Sequence, residues 1–180
     1  MPASVSLRGR PQAQGAVRDR LQPALLDRLV DRAPHQGREL DGAVMSRAQL
    51  REAVLRDLRW LFNTTNAQSE HDMQAYPQVR RSTLNFGLRP LSGKHMSEID
   101  WVDLEDSIRR AILDFEPRIL ADSVEVRCVS VAQVLEHYNI LSLEIAGVLQ
   151  CVPQPQEFLF RTDIDLENGH MDLHDLGNRR

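Results

Sequence analysis

The chain has 180 residues, 42% hydrophobic and 27% charged, enough apolar material for one domain core and too much for wholesale disorder. No apolar run approaches the roughly 20 residues of a membrane span, and the opening Met1-Pro2-Ala3-Ser4 lacks the apolar stretch of a secretory signal, so neither direct membrane insertion nor export is expected and the cytoplasm is the default location. The net charge of −4 divides into a basic excess in residues 1–60 and an acidic excess in 61–180, and an acidic body with 5% aromatics does not make a nucleic-acid groove.

Residues 1–45 read as a flexible arm, rich in Pro, Gly and Arg. Within it, over 21–31, Leu21, Leu25, Leu26, Leu29 and Val30 recur at helical spacing and predict one short amphipathic helix. A helix so short is marginal alone in water and is expected to dock on something. Residues 32–46 read as a linker.

A domain is expected over 46–175, with 176–180 as a tail. Ser46 is a plausible N-cap for a first main helix whose stripe is Leu50, Val54, Leu58, Leu61 and Phe62. Arg47, Arg51, Glu52, Arg56 and Arg59 form its other face, with Glu52 and Arg56 spaced for an ion pair. Residues 66–97 show no clear period, which suggests a segment that is functional or packed by its own side chains. Ser97 followed by Asp100 resembles a capping arrangement for a second helix with the stripe Trp101, Leu104, Ile108, Ala111, Ile112 and Phe115. Pro117 ends it.

Beyond Pro117 the period changes to two. Val124, Val126 and Cys128, then Leu141 to Leu149, then Phe158 to Leu166 alternate with polar residues, and Asn168-Gly169 signals a hairpin into a short return strand with Met171 and Leu173. The predicted fold is α+β: two main helices on one face of a small, mainly antiparallel sheet, with the arm and its short helix attached.

Chemistry is hard to find. Cys128 and Cys151 are too far apart for a metal-type pair and are expected to be reduced and buried. His170, Asp172 and His174 alternate along a strand, but a solvated face accounts for them, so no metal and no cofactor is expected. The acids of the second helix lie on its outward side, which argues against a glycosidase. One constellation stands apart. Phe115-Glu116-Pro117-Arg118 holds opposite charges around a proline at a helix-to-strand corner, where the Arg118 fork suits either an internal clamp or another chain's carboxylates and carbonyls.

Five segments, Leu25-Leu26-Asp27-Arg28-Leu29, Arg56-Asp57-Leu58 with Leu61, Asn63 and Thr64, Tyr76-Pro77, Ser82-Thr83-Leu84-Asn85-Phe86-Gly87 and Phe115-Glu116-Pro117-Arg118, occur in the order seen in the TssE family. These are type VI secretion baseplate proteins similar to the wedge proteins of contractile phage tails long labelled lysozyme-like. Phe62 and Phe86 stand where the family usually has leucine and tyrosine. The resemblance implies a structural, non-enzymatic protein of the cytoplasmic, membrane-docked baseplate. Its implied partners are TssF, TssG and TssK, and it would help start the TssB–TssC sheath around the Hcp tube. Glu116, Pro117 and Arg118 would form an assembly contact, and Leu25, Leu26, Arg28 and Leu29 a docking element. A sheet edge, in the Val124–Val131 or the Phe158–Leu166 strand, is expected to template the first sheath strand. The alternatives are a peptidoglycan-cleaving glycosidase and an anti-adaptor that binds a response regulator.

Overall fold

A computed structural model describes residues 23–30, 34–35, 45–129, 140–151 and 154–177. The chain divides into two units, Met1–Met45 and Ser46–Arg180. In the first unit the described element is α1 (Leu25–Leu29), which buries none of its residues. Leu21 and Asp31, the ends of the expected helix, lie outside the described residues, as does most of the expected linker.

The second unit contains α2 (Arg47–Phe62), a single turn α3 (Pro77–Arg80), and α4 (Trp101–Phe115). They precede the strands β1 (Glu125–Cys128), β2 (Ile140–Leu149), β3 (Gln156–Asp165) and β4 (Met171–Asp175). The sheet order is β1-β2-β3-β4, antiparallel throughout, so the α+β expectation holds. Val131 lies outside the described residues.

Ser46 caps α2 reciprocally: its hydroxyl accepts the Gln49 N–H while the Gln49 side chain accepts the Ser46 N–H, which satisfies two orphan donors. The expected stripe from Leu50 to Phe62 is buried throughout. The second helix starts later than Ser97 suggested. Ser97 belongs to a 3-10 turn, and Asp100 is the cap, accepting from the N–H groups of Val102 and Asp103. Trp101 and Phe115, at the two ends of its stripe, are incompletely buried.

Period-two burial gives the sheet one dry face. Val126, Leu143, Ile145, Phe160, Ile164 and Leu173 point toward the helices, where α2 packs on β4 and α4 on β1. Burying Phe160 completely stabilises the core by about 1.5–3 kcal/mol. Thr162 shares that face at 0% exposure, and among the described residues its hydroxyl has no hydrogen-bond partner. At the hairpin, Asp165 receives the Glu167 N–H and the Asn168 amide, and Gly169 takes the positive φ of 75° that the turn requires.

Both edges of this sheet are occupied by helix side chains. At β1, Arg109 Nε donates to the Val124 carbonyl and Glu105 accepts the Cys128 N–H. At β4, Asn63, Arg59 and Arg51 of α2 bond Met171, Leu173 and Asp175. Arg51 and Arg59, on the face of α2 away from its apolar stripe, thus hold the sheet, and Arg56 pairs with its neighbour Asp57. The Phe158–Leu166 strand does not fit the role of a templating edge, because β3 lies between β2 and β4.

The aperiodic segment is fastened by its own polar groups. A parallel bridge joins Thr65 to Leu88, and Gly87, at φ 119°, lies so close to the Thr64 carbonyl that any Cβ would collide with it. Buried Asn85 accepts the Gln68 N–H and donates to the Arg80 carbonyl. Phe86 meets Phe115 edge-on at 5.3 Å between ring centres.

Thr162→Val removes the unpartnered hydroxyl at nearly constant shape and should raise stability by about 1 kcal/mol in denaturant titrations; a loss of stability would show that the hydroxyl is bonded. A second expectation concerns acid. The Arg51 hydrogen bond holds the Asp175 carboxyl below the usual carboxylate range, partly against burial, with help from the Gly177 N–H. A carboxylate depressed in the folded state contributes stability that is complete above its unfolded pKa of about 3.9 and is lost as pH falls through the lower folded value. Thermal melts of Arg51→Gln should be weaker at neutral pH and should show a smaller drop over that acid window than the parent chain.

Candidate functional site

The corner after α4 begins with a helix that cannot continue. Glu116 is the C-cap of α4, its N–H still bonded to the Ile112 carbonyl, and Pro117 supplies neither a donor nor a compatible ring for another turn. The chain then lies down beside the end of β2: Gln150 N–H donates to the Arg118 carbonyl and Leu120 N–H to the Val148 carbonyl, with Ile119 and Leu149 bridged. Both sides of Pro117 are thus fixed, one by the helix and the other by the sheet.

Fixing the backbone brings the two charges together. Glu116 is only 3% exposed, and burying a carboxylate is costly unless a cation and hydrogen-bond donors meet it. Arg118 meets it fork to fork, Nε on Oε1 at 2.6 Å and Nη2 on Oε2, and adds its own N–H to Oε1 at 3.2 Å. The same Nη2 donates to Asp57 of α2, 61 positions earlier in the chain. Burial alone would lower the Arg118 pKa, but the hydrogen bonds and charges of Glu116 and then Asp57 outweigh it, and the net direction is up.

Asp57 extends the network outward. It also accepts from Arg56 Nε at 2.8 Å, and the Arg56 guanidinium stacks over the Trp60 ring at 5.3 Å. Trp60 is 51% exposed. A chain of contacts therefore runs from a buried carboxylate through two arginines and an aspartate to an indole open to solvent. Sequence reasoning found Glu116, Pro117 and Arg118 and missed Asp57, Arg56 and Trp60 as their companions. The available signal was Trp60 itself, one position before buried Leu61 and outside the stripe.

The bonds formed by Glu116 and Arg118 are internal, as an elbow clamp would require. Pro117 stiffens the corner and stands exposed at its surface. Leu25, Leu26, Arg28 and Leu29 all stand exposed on α1 in the first unit, Leu25 and Leu29 at 73% each.

Other chemistry finds less support. A depression of about 200 Å³ beside α4 is lined by Arg80, Arg89, Arg110, Asn85 and two carboxylates, Asp103 and Asp114. Eleven residues apart on one helix, those two residues have backbones about 16 Å apart along its axis, whereas glycosidase carboxylates stand roughly 5–9.5 Å apart. Each is already bonded to an arginine, Arg89 or Arg81. Among the described residues no group of acids, histidines and cysteines could hold a metal ion, and no helix is long and apolar enough to cross a membrane. Cys128 and Cys151 are free thiols; burial, then the Glu105 hydrogen bond and charge, push Cys128 up to about 12, which keeps it protonated and unreactive at neutral pH.

Arg118→Ala leaves Glu116 buried without its cation and should cost about 3 kcal/mol in chemical denaturation, the lower end for a broken buried pair because water still reaches Arg118. Arg118→Ala combined with Glu116→Gln should recover part of that loss; no coupling between the two substitutions would refute the clamp.

The sequence model of one protein family, described as baseplate wedge protein gp25, matches residues 48–154, more than half of the chain. No curated protein and no solved structure gives a match.

Proposed function

This chain belongs to the baseplate wedge protein gp25 family, and from that membership we propose that it is the TssE-type subunit of a type VI secretion baseplate, joining wedge subunits and helping to start the contractile sheath. The observation that carries the reading is the family match over residues 48–154, which makes a structural baseplate role the family's common property. The finer assignment to type VI secretion rests on the ordered motifs, including Leu25-Leu26-Asp27-Arg28-Leu29, which lies before the matched span.

The proposed partners are TssF, TssG and TssK, with the TssB–TssC sheath above and the Hcp tube nearby, in the cytoplasm at the membrane-docked machine. The elbow is proposed to act through what it presents. Glu116 spends its charge inside the domain, so the partner meets the outer rim of the network, with Arg118, Asp57, Arg56 and Trp60. Tryptophan and arginine set on a rigid base are the residue types that dominate protein contacts, and a side chain already held in place loses little entropy when a partner arrives. The α1 helix, with every leucine exposed and too short to persist alone, suits a docking element that orders against a partner. Initiation of the sheath by strand addition is less favoured at β1 and β4 than side-chain docking, since helix side chains already bond both edges.

Trp60→Ala removes a half-buried indole and its Arg56 stack and should cost about 1–2 kcal/mol while leaving the chain folded, yet it should abolish co-purification of the wedge subunits with the full chain. Retention of those subunits by a folded Trp60→Ala chain would refute the rim as the contact. Recovery of a response regulator in place of wedge subunits would favour the anti-adaptor reading, and release of sugar fragments from peptidoglycan the enzymatic one.

A further inference from the structure

The sheet ends at β4, and its outer edge is built to a pattern. Pairing with β3 turns the backbone groups of Asp172 and His174 inward, so those of Met171, Leu173 and Asp175 point out of the sheet. Asn63, at the end of α2, meets Met171 with both ends of its amide: Nδ2 donates to the Met171 carbonyl at 2.9 Å and Oδ1 accepts the Met171 N–H at 3.0 Å. A residue in a fifth antiparallel strand would exchange the same two bonds. One helical turn back, Arg59 donates through Nε and Nη2 to the Leu173 carbonyl at 3.1 and 2.7 Å. Arg51 then grips the Asp175 carboxylate with Nε and Nη2.

Two repeats coincide here. Four residues of helix advance about 6 Å, and two residues of strand about 6.8 Å. Asn63 and Arg59 therefore keep step with Met171 and Leu173, which allows a helix to satisfy a strand edge.

We propose that Asn63 and Arg59 lock this edge against a second copy of the same chain. The occupant follows from the sequence of β4, whose central Asp172-Leu173-His174 is self-complementary. Two copies laid antiparallel with Leu173 opposite Leu173 would place Asp172 of each against His174 of the other. Within one chain the two already meet, His174 Nε2 to Asp172 Oδ2 at 3.3 Å, and both side chains are exposed on the outer sheet face, so each carboxylate can equally accept from the other copy's imidazole across a strand pair. Such an edge, left bare, is a template for pairing. With the lock in place the chain stays single until another protein recruits it.

The test removes the lock and then the register. The full-length Asn63→Ala, Arg59→Ala variant clears both side chains and their bonds from the edge. In sedimentation velocity the parent chain should remain monomeric over a wide concentration range, whereas the variant should become dimeric as concentration rises. Adding His174→Glu sets two like charges against Asp172 across the new pair and should return the variant to a monomer. A folded double variant that remains monomeric overturns the proposal, as does a dimer indifferent to His174→Glu. Should the double variant fail to fold, Asn63→Ala alone supplies the test. Its Met171 amide should exchange with solvent faster than in the parent while monomeric and regain protection on dimerising, and unchanged exchange without dimerisation overturns the proposal equally.

Discussion

A carboxylate almost wholly withdrawn from water, at the point where a helix must become a strand, sets the conditions for the second unit. Burying Glu116 there is costly unless a guanidinium faces it, and Arg118 can face it only if Pro117 turns the chain without slack. Once Arg118 is so placed, its remaining reach is toward α2, and Asp57 receives it. The corner thereby ties together the end of α4, the end of β2 and the middle of α2, three places that hydrophobic packing alone would position less sharply. Dry contacts supply most of the energy of such a core, but they tolerate small slips. A forked ion pair does not, which is the use proposed for charged groups in specifying one arrangement.

The two long helices serve the sheet in a second way. Strand edges expose polar groups that need partners, and here the partners are side chains reaching over from the helix beside each edge: Glu105 and Arg109 at β1, Arg59 and Asn63 at β4. Of the chain's 22 basic residues 21 are arginine, and this placement gives that bias a physical meaning. A planar fork can serve a carbonyl with two donors, as Arg59 does for Leu173, where an ammonium would act as a single point charge.

Much of the layout was legible in the sequence. The stripe of α2, the alternation in β2 and β3 and the Asn168-Gly169 hairpin follow from periodicity, because burial on one face leaves a repeat in the residues themselves. What periodicity could not reveal was the fate of polar residues. Arg51, Arg59 and Asn63 look like a solvated helix face until the edge of β4 is set beside them, and no local pattern in α2 announces a strand more than 100 positions later. The start of α4 was misplaced for a similar reason: Ser97 and Asp100 are both good caps, and the 3-10 turn at Met96–Glu98 decides between them. The elbow was legible as a motif, but its third member, Asp57, is distant in sequence and close only in the fold.

The edge-on meeting of Phe86 with Phe115 has a consequence for how force would travel. Leu84, at 72% exposure, caps a segment held by short polar fastenings, and only Asn85 separates it from the Phe86 ring. That ring leans on the last residue of α4, whose successor is Glu116. A pull on the tip of the segment therefore arrives, after a single aromatic step, at the Glu116–Arg118 elbow, so loop and joint are coupled in series like a lever and its pivot.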